Sequence, residues 1–203
     1  MEICKKQKKM STTTAQAGNK PQGPGRQPRR VSKEQFLREF SKREDGYKYE
    51  WNDGVVEKTK AMNQQQLFIQ NSLLRCFLNT QVFKDGGLLT SEGDMGTLGR
   101  QLRRPDLAIY TAKQVGRMRS GENQVAPWVA EVISPTDKAD DINKKLEEYF
   151  QAGVQVVWHI FPHSRKVDVY TSPDNVTICR GATVCSGEPA LAGFEITAAE
   201  LFA

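Results

Sequence analysis

From Tyr47 the chain alternates apolar and polar, Tyr47-Lys48-Tyr49-Glu50-Trp51, turns at Asn52-Asp53-Gly54 and returns through Val55-Val56-Glu57-Lys58. That pattern predicts a β-hairpin. It sets Tyr47, Tyr49 and Trp51 on one face and Lys48, Glu50 and Asn52 on the other. Before it, Ser32 with Gln35 three residues later is a capping-box signal, and Phe36, Leu37 and Phe40 predict a helix over 33–43. After it, Ile69, Leu73, Cys76 and Phe77 recur at helical spacing, which predicts a helix over 65–78. Glycines at 86, 87, 93, 96 and 99 then bracket one or two short strands, and 114–124 is polar enough to read as a loop with at most a helical turn. A third helix starts at Asp137 or Asp140 and stops at Gly153, a good glycine for a helix end. Strands over 155–161, 166–170 and 177–180 and a terminal segment over 194–201 follow. The expected fold class is mixed α/β, a central mixed sheet flanked by helices.

Two apolar runs carry acids that packing does not explain. Pro105-Asp106 opens Leu107-Ala108-Ile109-Tyr110, and Trp128-Val129-Ala130-Glu131-Val132-Ile133-Ser134 has an acid at its centre and ends at Pro135. Burying an unpaired charge costs several kcal/mol, so a mid-strand acid needs a partner. A hard divalent ion is one, because Mg²⁺ takes one or two carboxylates plus water or phosphate.

Such a pair works with a cation that stabilises developing charge. Lys138, Lys144 and Lys145 are near in sequence. Ile142, Leu146, Tyr149, Phe150 and Gly153 define one face of the third helix; Lys145 flanks that stripe and Lys144 points away from it. Lys145 is the choice.

The chain has 203 residues, 38% hydrophobic and 26% charged, enough for one domain with a core. No stretch approaches the roughly 20 apolar residues of a membrane span, and MEICKKQKKM leads into polar residues rather than a secretory apolar segment. Cys4, Cys76, Cys179 and Cys185 lack metal-site spacing and read as reduced thiols of a cytoplasmic protein. The net charge is +5, but residues 1–30 hold eight basic side chains against Glu2, a local +7 that leaves −2 for residues 31–203. The basic character belongs to a tail expected to be disordered. That tail reads as a solvated leader, or as sequence upstream of a true start at Met10, in preference to a phosphate-seeking arm. The domain is expected over 31–203.

Residues from about 34 to 202 resemble the Uma family of putative restriction endonucleases, within the PD-(D/E)XK nuclease superfamily. The resemblance is carried by Glu50 in YEWNDGVV, Arg104-Pro105-Asp106, and Ala126-Pro127 leading to Glu131-Val132-Ile133-Ser134-Pro135. Lys145-Leu146-Glu147-Glu148-Tyr149 running to Ala152-Gly153-Val154, then Trp158, and the closing Leu191-Ala192-Gly193-Phe194 also fit. It implies a restriction-endonuclease-like core in which Asp106 and Glu131 hold Mg²⁺, with Mn²⁺ as a substitute. Glu50 adds to the metal shell, and a lysine assists hydrolysis. The usual lysine position, two after the glutamate, is Ile133, so the resemblance implies that the cation has moved to Lys145. The chain departs from the family at Gln66, Val156 and Phe161, where polar groups are usual.

Each residue also has a plainer reading. Asp106 alone reads equally as a strand-start acid accepting from a backbone N–H. Glu131 could form a buried ion pair with Lys145 and do no chemistry. Glu50 alone reads as an exposed hairpin residue, and only the family pattern raises it. His159 and His163, four apart on a strand and turn, read as a packed and an exposed histidine rather than a zinc pair. The expected function is a Mg²⁺-dependent endonuclease hydrolysing DNA phosphodiesters, and two-fold DNA suits a homodimer. The alternatives are a catalytically silent nuclease fold that binds nucleic acid or a protein, and a hydrolase of another phosphoester.

Overall fold

The computed structural model describes residues 30–60 and 64–203; all but the last residue of the expected tail lies outside them. In chain order the elements are α1 (Lys33–Glu39), β1 (Tyr47–Asn52), β2 (Val55–Lys60), α2 (Gln64–Leu78), α3 (Gln81–Lys84), β3 (Leu88–Ser91), β4 (Met95–Thr97), β5 (Gln101–Arg103), β6 (Leu107–Tyr110) and α4 (Ala112–Arg119). Then come β7 (Trp128–Val132), α5 (Ala139–Ala152), β8 (Val156–Phe161), β9 (Lys166–Ser172), β10 (Asn175–Arg180), β11 (Val184–Ser186), β12 (Glu195–Thr197) and α6 (Ala198–Leu201).

The central sheet has six strands in the order β10-β9-β8-β7-β6-β3. Only β7 and β8 are parallel, joined through α5; the other neighbours run antiparallel. Alternation along each strand divides the core into two layers. Leu107, Ile109, Trp128, Ala130, Trp158 and Ile160 face Ile69, Leu73 and Phe77 of α2. Ala108, Tyr110, Val129 and Val157 face Leu146 and Tyr149 of α5. A second sheet, β2-β1-β5-β4, carries the predicted hairpin, and α1 packs on it through Phe36 against Tyr49 and Leu102.

Two expectations are corrected. α1 ends at Glu39 rather than 43, because Phe40 leaves helical geometry and Arg43 folds back to donate to the Glu39 carbonyl and lie over the Phe40 ring. The polar stretch after Tyr110 is a two-turn helix, α4, started by a reciprocal cap between Thr111 and Gln114. α5 stops where expected: Gly153 sits at φ +100°, and the Gly153 and Val154 N–H groups close on the Phe150 and Tyr149 carbonyls. No helix among the described residues is long and apolar enough to cross a membrane.

Candidate active site

The site lies on the α5 face of the central sheet, and strand register builds it. Leu107 pairs with Ala130, so Asp106, one residue earlier, stands beside Glu131, one residue later. Glu131 is in turn opposite His159 on β8, which is opposite Asp168 on β9. All four are buried, their residue exposures between 2 and 7%. The hairpin closes over this row with its Lys48–Glu50–Asn52 face, and α5 lays Lys145 and Tyr149, one turn apart, against it.

Each strand acid has one oxygen fixed by the protein and one turned to a cation. Asp106 Oδ2 accepts from the Val132 N–H at 2.7 Å, and Oδ1 accepts from Lys48 Nζ at 2.7 Å. Glu131 Oε1 accepts from the Tyr149 hydroxyl at 2.5 Å, and Oε2 is 4.0 Å from the same Lys48 Nζ. Lys145 Nζ stands 3.8 Å from Glu131 Oε1 and 2.9 Å from Glu50 Oε2. Glu50 is 1% exposed, not a surface hairpin residue; it also accepts from the Arg104 N–H at 2.9 Å and from Arg103 Nη1 at 3.0 Å. Arg103 itself is buried and forks between Glu50, Glu57 and Glu148. The structure therefore brings Asp106, Glu131, Lys145 and Glu50 into one ion-paired cluster.

Its electrostatics are uneven. Lys48, Lys145 and Arg103, with the half-exposed Lys144 at the rim, bring four positive charges to the carboxylates of Glu50, Glu57, Asp106, Glu131 and Glu148, one fewer than the acids carry. Burial raises the Glu50 carboxyl, but Lys145, Lys48 and Arg103 outweigh it and bring it down to about 2. Burial wins at Glu131: despite Lys145 and Lys48 its carboxyl stays above the usual range, with Asp106 and Glu50 adding repulsion. For Lys48 and Lys145 burial works against the charge, yet Glu131 and the neighbouring acids hold both ammonium groups above the ordinary lysine value. Two carboxyls pushed apart in this way are suited to different roles.

The donor set fits a hard divalent ion in part. Asp106 Oδ1 and Glu131 Oε2 converge on one point, and two carboxylates are what Mg²⁺ needs from a protein when water and phosphate supply the rest. Glu50 does not complete a trio, since both its oxygens are engaged by Arg103, Lys145 and the Arg104 N–H. Among the described residues no three His, Cys, Asp or Glu side chains gather as a metal-holding group. Lys48 stands at the convergence point.

Lys48, Arg103 and Tyr149 are site residues that sequence reasoning did not assign. A signal for Lys48 existed: in an alternating strand it must share the face of Glu50. Further along the row, Lys166 Nζ pairs with Asp168 Oδ2 at 2.6 Å, while His159 Nε2 and Asp168 Oδ1 have no hydrogen-bond partner among the described residues. Burial, with Lys166 and Lys145 nearby, pushes the His159 imidazole down to about 4. His163 is exposed.

The family described as Uma2, putative restriction endonuclease, matches residues 34–199. A crystal structure of a putative nuclease belonging to DUF820 from Anabaena variabilis is similar at a TM-score of 0.69 and 17% identity, covering 83% of this chain and 96% of that one. At that identity the likeness speaks for the fold, which is restriction-endonuclease-like. No curated protein matches the chain at a significant level.

Proposed function

Because the chain belongs to the Uma2 family of putative restriction endonucleases, we propose that it is a metal-dependent endonuclease that hydrolyses phosphodiester bonds in DNA. The carrying observation is the buried Asp106–Glu131 pair, whose free oxygens share one cation while Lys145 stands against the same glutamate. In this reading Asp106 and Glu131 hold Mg²⁺, with Mn²⁺ able to replace it. When bound, the ion lowers the pKa of a coordinated water and neutralises phosphate charge.

The chain's own residues supply the rest. The Val132 N–H and the Tyr149 hydroxyl fix one oxygen of each acid, so the remaining oxygens stay aimed without reorganisation. Lys145, with its side chain 17% exposed, is the cation that can reach both Glu131 and an incoming phosphate, orienting the nucleophile or stabilising the transition-state charge. Glu50, itself anchored by Arg103 and Arg104, acts as the positioning residue that holds the Lys145 ammonium. A homodimer suits two-fold DNA.

One observation favours a second reading. Lys48 already occupies the point between the two acids, as it would in a silent nuclease fold that only binds nucleic acid or a protein partner. Plasmid nicking separates the two. The wild type should nick supercoiled DNA with Mg²⁺ or Mn²⁺ and not in EDTA, and Asp106→Ala or Glu131→Ala should lose that activity. No nicking with either metal would support the silent module, and equal nicking by all three proteins would expose a contaminant.

A further inference from the structure

Lys48 is an odd choice for its position. Its side chain is 5% exposed, and an ammonium is costly to bury unless acids surround it. It does not lie along one ion pair but between two acids, at 2.7 Å from Asp106 Oδ1 and 4.0 Å from Glu131 Oε2. Those are the two oxygens left over once Val132 and Tyr149 have taken the others. They are therefore also the two oxygens through which the acids would hold a divalent ion.

We propose that Lys48 is a built-in counter-cation that holds the Asp106–Glu131 pair together without metal and competes with the divalent ion for it. This rests on the metal-dependent reading above. The competition is geometric: ion and ammonium cannot both lie against Asp106 Oδ1 and Glu131 Oε2. Lys48 need not leave the cluster when displaced, because Glu50 shares its face of β1 and the surrounding acids still exceed the cations by one charge. Two consequences follow. The empty pair keeps its spacing, so binding needs no rearrangement of the sheet; and metal affinity is set below what two bare carboxylates would give.

The test is calorimetric titration of the metal-stripped full chain with Mn²⁺, for the wild type and for Lys48→Met, Lys48→Gln, Lys145→Met and Glu131→Gln. Competition predicts that both Lys48 variants bind Mn²⁺ at least fivefold more tightly than the wild type. It also predicts that Lys145→Met, which removes the same charge from the other side of Glu131, gains less, and that Glu131→Gln abolishes binding. A smaller gain in the Lys48 variants, or an equal gain in Lys145→Met, overturns competition while leaving the metal reading intact. Absence of Mn²⁺ binding in every protein overturns both. Should Lys48→Met be unfolded without metal, Lys48→Gln serves in a melting experiment. Mn²⁺ must then raise its melting temperature by more than it raises that of the wild type, and an equal or smaller rise refutes the proposal.

Discussion

Tyr149 donates its hydroxyl hydrogen to Glu131 Oε1 across 2.5 Å, from a helix to the centre of a buried strand. Both groups are sealed from water, so no solvent donor replaces the hydroxyl, and Lys145 is 3.8 Å from that oxygen, beyond hydrogen-bond distance. Tyr149→Phe therefore leaves a carboxylate short of one donor where burial already disfavours its charge. The variant should lose about 1–3 kcal/mol by urea denaturation. The Glu131 carboxyl should also move further up, because a hydrogen bond to the charged form has been removed. Unchanged stability would mean that the contact is not formed in solution.

Arg103 should be the costliest residue in the cluster to truncate. It is 1% exposed and donates to Glu50, Glu57 and Glu148 together. Arg103→Met takes the guanidinium from two buried acids at once, leaving Glu50 to Lys145 and the Arg104 N–H and Glu148 to the half-exposed Lys144 alone, and breaking a buried pair from one side costs roughly 3–5 kcal/mol. Arg103→Lys should recover only part, since a single ammonium cannot reproduce the guanidinium fork. Chemical denaturation of the two variants checks both the size and the order of the losses.

His159 predicts an acid-sensitive fold. The imidazole titrates near 6.5 when unfolded, and burial brings it to about 4 in the folded chain. Between those values the unfolded chain takes up a proton that the folded chain refuses. Its contribution is therefore fully present above 6.5 and lost as pH falls towards 4, by up to roughly 3 kcal/mol. Glu50, held at about 2, loses its contribution later, as pH falls from 4.5 through 2. Denaturation at pH 7, 6 and 5 should show the wild type weakening more steeply than His159→Leu, which has nothing to protonate there. Parallel curves would contradict the assignment.

The hairpin, the long helices and the strand acids were legible in the sequence because each is a local signal: alternation with an Asn-Asp-Gly turn, a 3.6-residue apolar period, a charge in an apolar run. What was not legible depended on pairing or on weak local preference. α4 has no fully buried residue; only Val115 and Met118 rest, partly covered, against the α5-side core, so two apolar positions beside a Thr111–Gln114 cap made a weak periodic signal. α1 stops early because Arg43 finds Phe40 and the Glu39 carbonyl. Asp106 and Glu131 were singled out separately; that they are neighbours follows only from the β6–β7 register. The plain reading of Asp106, an acid accepting a backbone N–H, is also present at Val132, on the oxygen that Lys48 does not use. Lys48 escaped notice because charged residues in a hairpin default to solvent, whereas here the fold covers the polar face as well as the Tyr49 face.

Lys144 and Lys145 are adjacent, and the helix sends them to different environments. Lys144 Nζ is 3.9 Å from Glu148 Oε1 on a side chain 56% exposed, while Lys145 is 17% exposed and bonded to Glu50 at 2.9 Å. A solvent-screened pair contributes between zero and about 1 kcal/mol, so Lys144→Met should change stability by no more than about 0.5 kcal/mol. Lys145→Met should instead destabilise the fold by about 1–3 kcal/mol, since it removes a charged donor from Glu50 and leaves Arg103 and the Arg104 N–H to compensate. If Lys145 also stabilises transition-state charge, metal-dependent nicking should fall roughly 10²–10³-fold in that variant. Lys144→Met should stay close to wild type. Running both variants side by side in urea and on plasmid separates a structural lysine from one that also serves the reaction. A stable Lys145→Met with full nicking would remove it from the site, and a strong loss in Lys144→Met would show that the wrong helix face had been chosen.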